Sequence, residues 1–157
     1  MVVHRYFNGP NAQLRATLCA DMECSSAAHR QIGYVSNSYF RLISAAIGSD
    51  GLPVVSYCLD ADQLMMARCA TADCSGTPSV ATVEDDPDVC GDSSIAIGAD
   101  GLPIIAYHDE GNGDLRLAKC TDAGCSIGTG IETVDSAGFA GRYASVEVPP
   151  DGLPVIA

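Results

Sequence analysis

Asp-Gly-Leu-Pro occurs three times in this chain, starting at Asp50, Asp100 and Asp151, so the copies are 50 and 51 residues apart. A chain that repeats at a fixed period buries its apolar residues by stacking like units, and this limits the fold more than any local signal. The cysteines keep the same step, as Cys19/Cys24, Cys69/Cys74 and Cys120/Cys125. Between the two markers, Val54, Val55, Ser56 and Tyr57 match Ile104, Ile105, Ala106 and Tyr107. Val3, His4, Arg5 and Tyr6 fill the same place at the front.

One period reads as four strands. Residues 94–97 are short and apolar, and Asp100-Gly101 then supplies a turn where glycine takes a positive φ. Residues 104–107 form the second strand, with Pro103 at its first position, where a missing N–H is tolerated. His108 falls in the following loop, 115–120 alternate as a third strand, and 131–134 make the fourth. No stretch holds a 3.6-residue period with caps, so negligible helix is expected. A four-stranded unit of this length predicts an all-β chain of β-propeller blades, since helical solenoid units run about 33–47 residues. A β-sandwich or β-solenoid is the alternative, but a sandwich rarely keeps an exact period and a β-helix coil is shorter.

The string Ile95-Ala96-Ile97-Gly98-Ala99-Asp100-Gly101-Leu102-Pro103, continued by Ile104 to Tyr107, and the string from Gly113 to Cys120 resemble repeats of bacterial and environmental β-propeller-like proteins. Those repeats look broadly like sialidase-type blades. The resemblance spans nearly the whole chain and implies a fold without an activity, because such blades carry many functions. The Asp-box of sialidases is absent, and the chain has no Trp.

Aligned by the cysteines, the chain carries three blades with a circular offset: 2–43 as outer strands of the first, 44–93, 94–144, and 145–157 as an inner strand with the start of a second strand. Propellers close with 4 to 8 blades. A homodimer of six blades, in which 145–157 of one copy completes the N-terminal blade of the other, is therefore expected; a piece of a longer propeller would also begin and end in mid-blade.

Acidic residues outnumber basic ones 20 to 8, for a net charge of −12. Such a surface repels phosphate backbones and anionic lipid, so neither nucleic acid nor a membrane is an expected partner. Hydrophobic residues at 47% and charged residues at 18% exclude a disordered tail.

Each C-x4-C pair falls between a third and a fourth strand, where a short loop brings the ends within disulfide reach. Zinc needs four ligands, which pairs on separate blades do not bring together. Disulfides imply an exported or extracellular protein, although the N-terminus lacks the charged-then-apolar plan of a signal peptide. Cys58 and Cys90 stand outside the pattern, in loops of adjacent blades on one face, and are placed to make a fourth disulfide.

Ligands of propellers usually meet the loops between second and third strands and those leading into inner strands. The first set holds Asn8, Asn11, Asp60, Asp62, His108, Asp109, Glu110, Asn112 and Asp114; the second holds Arg41 and, one period on, Arg142 and Tyr143. Arg41, Asp60, His108, Asp109, Arg142 and Tyr143 form the candidate site at the channel mouth, suited to a glycan or small anion because guanidinium forks match carboxylates and phosphates. Local pairing of each Arg with Asp is the competing role. No cofactor is expected: the 109–114 loop has oxygens enough for calcium but lacks the EF-hand order, which leaves it the work of a turn. A binding module or scaffold is the leading expectation, with a sialidase-like glycoside hydrolase or lyase as the alternative. Recurring Tyr6, Tyr57 and Tyr107 suggest packing between blades.

Overall fold

The computed structural model describes residues 1–7, 12–35, 43–59 and 62–157. Their regular structure is β-strand alone: β1 (Val2–Phe7), β2 (Ala12–Cys19), β3 (Ala27–Val35), β4 (Ser44–Ile47), β5 (Pro53–Leu59), β6 (Gln63–Arg68), β7 (Ser79–Asp85), β8 (Ser93–Ile97), β9 (Pro103–Asp109), β10 (Asp114–Cys120), β11 (Thr129–Asp135), β12 (Val146–Glu147) and β13 (Val155–Ile156). They form four antiparallel sheets: β1-β2-β3, β4-β5-β6-β7, β8-β9-β10-β11 and β12-β13. The chain is all-β, with no helix among the described residues.

The Asp-Gly-Leu-Pro turns show why that string recurs. Asp50, Asp100 and Asp151 each accept the N–H two residues on, from Leu52, Leu102 and Leu153, at 2.9, 3.0 and 3.1 Å. Gly51, Gly101 and Gly152 sit at φ +79, +80 and +81, a region that residues with a Cβ resist. The proline then opens β5 and β9 without needing a donor. At the same end lie the cysteine loops, where Cys24, Cys74 and Cys125 all take left-handed φ values of 51 to 53. Each of these N–H groups bonds back to a carbonyl three residues earlier, on Asp21, Thr71 and Asp122.

Three cores separate the sheets. Leu14, Ala16 and Ile32 of the first sheet pack against Val55, Tyr57 and Ala67 of the second. Val54, Leu64 and Val83 of the second pack against Ile105, Tyr107 and Ala118 of the third. Ile104, Ala106 and Leu117 of the third receive Val146 and Ile156. Neighbouring first strands are stitched by serines: Ser44 Oγ accepts the N–H of Ile95 at 3.1 Å, and Ser94 Oγ accepts that of Val146 at 3.1 Å.

Two expectations are corrected. His108 and Asp109 lie within β9, Asp114 within β10 and Cys58 within β5, and not in loops, because the ladders run past the apolar run: His108 pairs with Leu115, Asp109 with Asp114 and Cys58 with Leu64. Tyr6 does not share the position of Tyr57 and Tyr107. Counted back from the first cysteine, Tyr57 lies opposite Met65 and Tyr107 opposite Arg116, yet Arg15 lies opposite His4 and Tyr6 opposite Gln13. β1 is thus paired two residues out of step. A two-residue slip keeps every side chain on its face, so alternation does not forbid it. Tyr6 instead stacks under the Arg15 guanidinium, 3.3 Å from its ring centroid.

Candidate functional site

Opposite the Asp-Gly-Leu-Pro end, three segments converge: the connection 86–92, the β9–β10 hairpin and the connection 136–145. His108 ties them together. Its N–H donates to Asp92 O at 3.0 Å, its carbonyl accepts from Gly91 at 2.8 Å, and Nδ1 lies 2.6 Å from Ala140 O. A carbonyl only accepts, so Nδ1 carries the proton. The ring is fully buried, and Nε2 has no hydrogen-bond partner among the described residues. A Cβ on Gly91 would come within 2.8 Å of His108 Cδ2, so this approach requires glycine. Cys90 precedes it, bonded to Cys58 of β5 with a Cα separation of 5.6 Å, so the disulfide clamps 86–92 to the second sheet.

Asp109, also buried, ends β9. Its Oδ1 accepts the Asn112 N–H at 3.1 Å, while Oδ2 accepts Asn112 Nδ2 at 2.9 Å and Arg116 Nη1 at 3.3 Å. Arg116 also meets Glu84 Oε1 of β7 at 2.7 Å. Glu84 Oε2 accepts the hydroxyl of Tyr107. Burial, reinforced by that bond to Glu84, raises the Tyr107 phenol well above its ordinary value. Burial by itself would lower the Arg116 pKa, but Tyr107, Glu84 and Asp109 hold it above the usual guanidinium value. The 109–114 turn is therefore built on a buried carboxylate whose oxygens are already engaged.

The outer layer is different in character. Arg142 and Tyr143 are exposed. Tyr143 takes φ +59, and its N–H donates to Asp92 Oδ2 at 3.3 Å. Non-glycine residues rarely hold that conformation without support. Phe139, three residues before Arg142, is also exposed. It packs beside Gly113, where a Cβ would meet Phe139 Cδ1 at 3.0 Å.

Of the residues singled out from the sequence, His108 and Asp109 are adjacent on β9 and Arg142 and Tyr143 follow Ala140, the partner of His108. Arg41 and Asp60, with Asn8 and Asn11, lie outside the described residues. Asp62 anchors the base of the site, accepting from the N–H of Asp86 at 3.1 Å through its carbonyl and of Asp88 at 3.3 Å through its carboxylate. Glu84, Arg116 and Phe139 were not anticipated. Only the Arg116 signal was available, a cation on the alternating third strand.

All eight cysteines are paired: Cys19–Cys24, Cys58–Cys90, Cys69–Cys74 and Cys120–Cys125. Among the described residues, no group of three or more His, Cys, Asp and Glu is placed to hold a metal ion. Compared with models of known protein families and with curated proteins, the chain matches none.

Proposed function

We propose that this chain is a three-bladed arc of a β-propeller and that it binds a small anionic or glycan ligand without transforming it. Its contact surface would be Arg142, Tyr143 and Phe139, carried by the 136–145 connection over His108 and Asp109. The observation that carries this reading is the occupancy of the carboxylates beneath: both oxygens of Glu84 and both of Asp109 are engaged by Tyr107, Arg116 and Asn112. Glycoside hydrolysis by the two-carboxylate route needs two carboxyls that act on substrate, and these two are committed to the fold. The exposed guanidinium and rings suit a carboxylate or phosphate and the apolar face of a sugar.

Stacked sheets with neighbouring first strands support the propeller. Closure by a second copy would put β12 in the place next to the partner's β1 that β4 and β8 take beside β5 and β9. β13 would give way to β1 there. Four disulfides fit an oxidising, extracytoplasmic compartment.

A glycan array and a panel of chromogenic glycosides test the reading together. Expected are binding abolished by Arg142→Ala and no release of chromophore. Turnover lost in Arg142→Ala would instead establish the sialidase-like alternative.

A further inference from the structure

Corresponding positions along the three larger sheets expose a surface that lacks its cover. Each outer strand carries one bulged residue: Ile32 in β3, Val83 in β7 and Val134 in β11, at the register shifts opposite Leu14/Arg15, Leu64/Met65 and Leu115/Arg116. Ile32 is 1% exposed because the second sheet covers it, and Val83 is 6% exposed because the third does. Val134 is 49% exposed. The neighbouring position follows the same logic. Gly33, Glu84 and Asp135 stand opposite Leu14, Leu64 and Leu115.

What covers these positions is matched in charge. Gly33 faces the Tyr57 hydroxyl, with Met65 opposite that tyrosine. Glu84 faces Tyr107 and Arg116, which are likewise opposite each other. The glycine is met by a tyrosine whose cross-strand neighbour is uncharged, and the acid by a tyrosine whose cross-strand neighbour is Arg. Asp135 is an acid, and the remaining residues of this kind are Arg15 and, opposite it, His4. They lie on the face of the first sheet that turns away from the second, with Val2 and Tyr6, both exposed. Within its own chain Arg15 bonds Gln13 at 3.1 Å and stacks on Tyr6, and among the described residues Asp135 accepts only the N–H of Ala137, at 2.9 Å.

We infer that the β11 face of one copy docks the β1–β2 face of a second copy, with Asp135 paired to the partner's Arg15 as Glu84 pairs to Arg116. Val134 would be covered by the partner's Val2 and His4, as Val83 is covered by the third sheet. Ser145 Oγ would accept from the N–H of the partner's Ala45, continuing the bonds of Ser44 and Ser94. This joint rests on the six-bladed closure above. Two copies form it twice, related by a two-fold axis.

Sedimentation velocity of the wild type, Arg15→Asp, Asp135→Arg and an equimolar mixture of the two variants tests it. The wild type is expected at twice the 16.2 kDa chain mass. Each variant alone places like charges at both joints and is expected to dissociate at about tenfold lower dilution or worse. In the mixed dimer every joint again holds one acid and one Arg, so the mixture should recover the wild-type dimer. Circular dichroism confirms that both variants fold. A monomeric wild type overturns the closure itself. A wild-type dimer that neither variant weakens, or that the mixture does not restore, overturns this joint and leaves the closure standing.

Discussion

Tyr107 of β9 donates its hydroxyl to Glu84 of β7, so the second and third sheets are joined by one buried phenol and one carboxylate as well as by apolar packing. The same carboxylate takes Arg116, whose guanidinium lies 5.9 Å above the Tyr107 ring centroid. Tyr107→Phe keeps the ring and removes one charge-assisted bond, which should cost about 1.5–3 kcal/mol. Glu84→Ala should cost more, about 3 kcal/mol or above, because it leaves both Tyr107 and Arg116 short of a partner. Urea denaturation of both variants gives the comparison; equal losses would mean that Arg116 does not depend on Glu84.

The four disulfides should differ in worth. Cys58–Cys90 spans 32 residues, whereas each of the others spans 5. On the chain-entropy model the long link contributes about 3.7 kcal/mol and each short one about 2 kcal/mol. Cys58→Ala/Cys90→Ala should therefore lower the melting temperature more than any of the three short-pair double variants. It should also be the only one of the four to weaken the proposed ligand capture at 136–145, since of the four it alone ties the segment carrying Gly91 to the second sheet. Non-reducing intact mass should show two hydrogens fewer per disulfide, and free thiols at these positions would refute the proposal of an extracytoplasmic compartment.

Tyr57 predicts an alkaline limit. Burial pushes its phenol from 10.0 up to about 12. Between those values the unfolded chain loses the proton and the folded one keeps it, so the stabilisation is complete below pH 10 and is lost as pH rises to 12. Unfolding free energy should fall by about 2–3 kcal/mol across that window for this group. Tyr57→Phe should remove that part of the slope, leaving the part due to Tyr107.

Asp73 acts at the acid end, within the Cys69–Cys74 loop. The hydroxyl of Thr71, then the hydroxyl and N–H of Ser75, hold its carboxyl at about 2, below the ordinary 3.8. A lowered folded pKa gives stability that is present above pH 3.8 and disappears as pH falls through 2. Asp73→Asn should melt below the wild type at neutral pH, with the gap closing between pH 4 and 2. A gap that stays constant across that range would show that the carboxylate charge contributes nothing.

The turns, the strands and the short disulfides were legible because each is decided within a few residues. Asp50, Asp100 and Asp151 cap their own turns, and each C-x4-C loop closes on itself, so the 50-residue period displays them directly. Across sheets, the Cys58–Cys90 link and the packing of Tyr57 and Tyr107 were legible, but the polar contacts were not. Glu84 and Tyr107 are brought together only when two sheets stack, and nothing near either residue signals the other. The β1 register escaped for a related reason, since a two-residue slip preserves the in-and-out pattern that sequence records. Alternation and turn chemistry thus determined which segments become strands and how the hairpins close. Stacking decided which polar residues are buried, as with His108 and Asp109, and which faces stay uncovered, as with Val134, because burial depends on the next sheet and not on the strand that carries the residue.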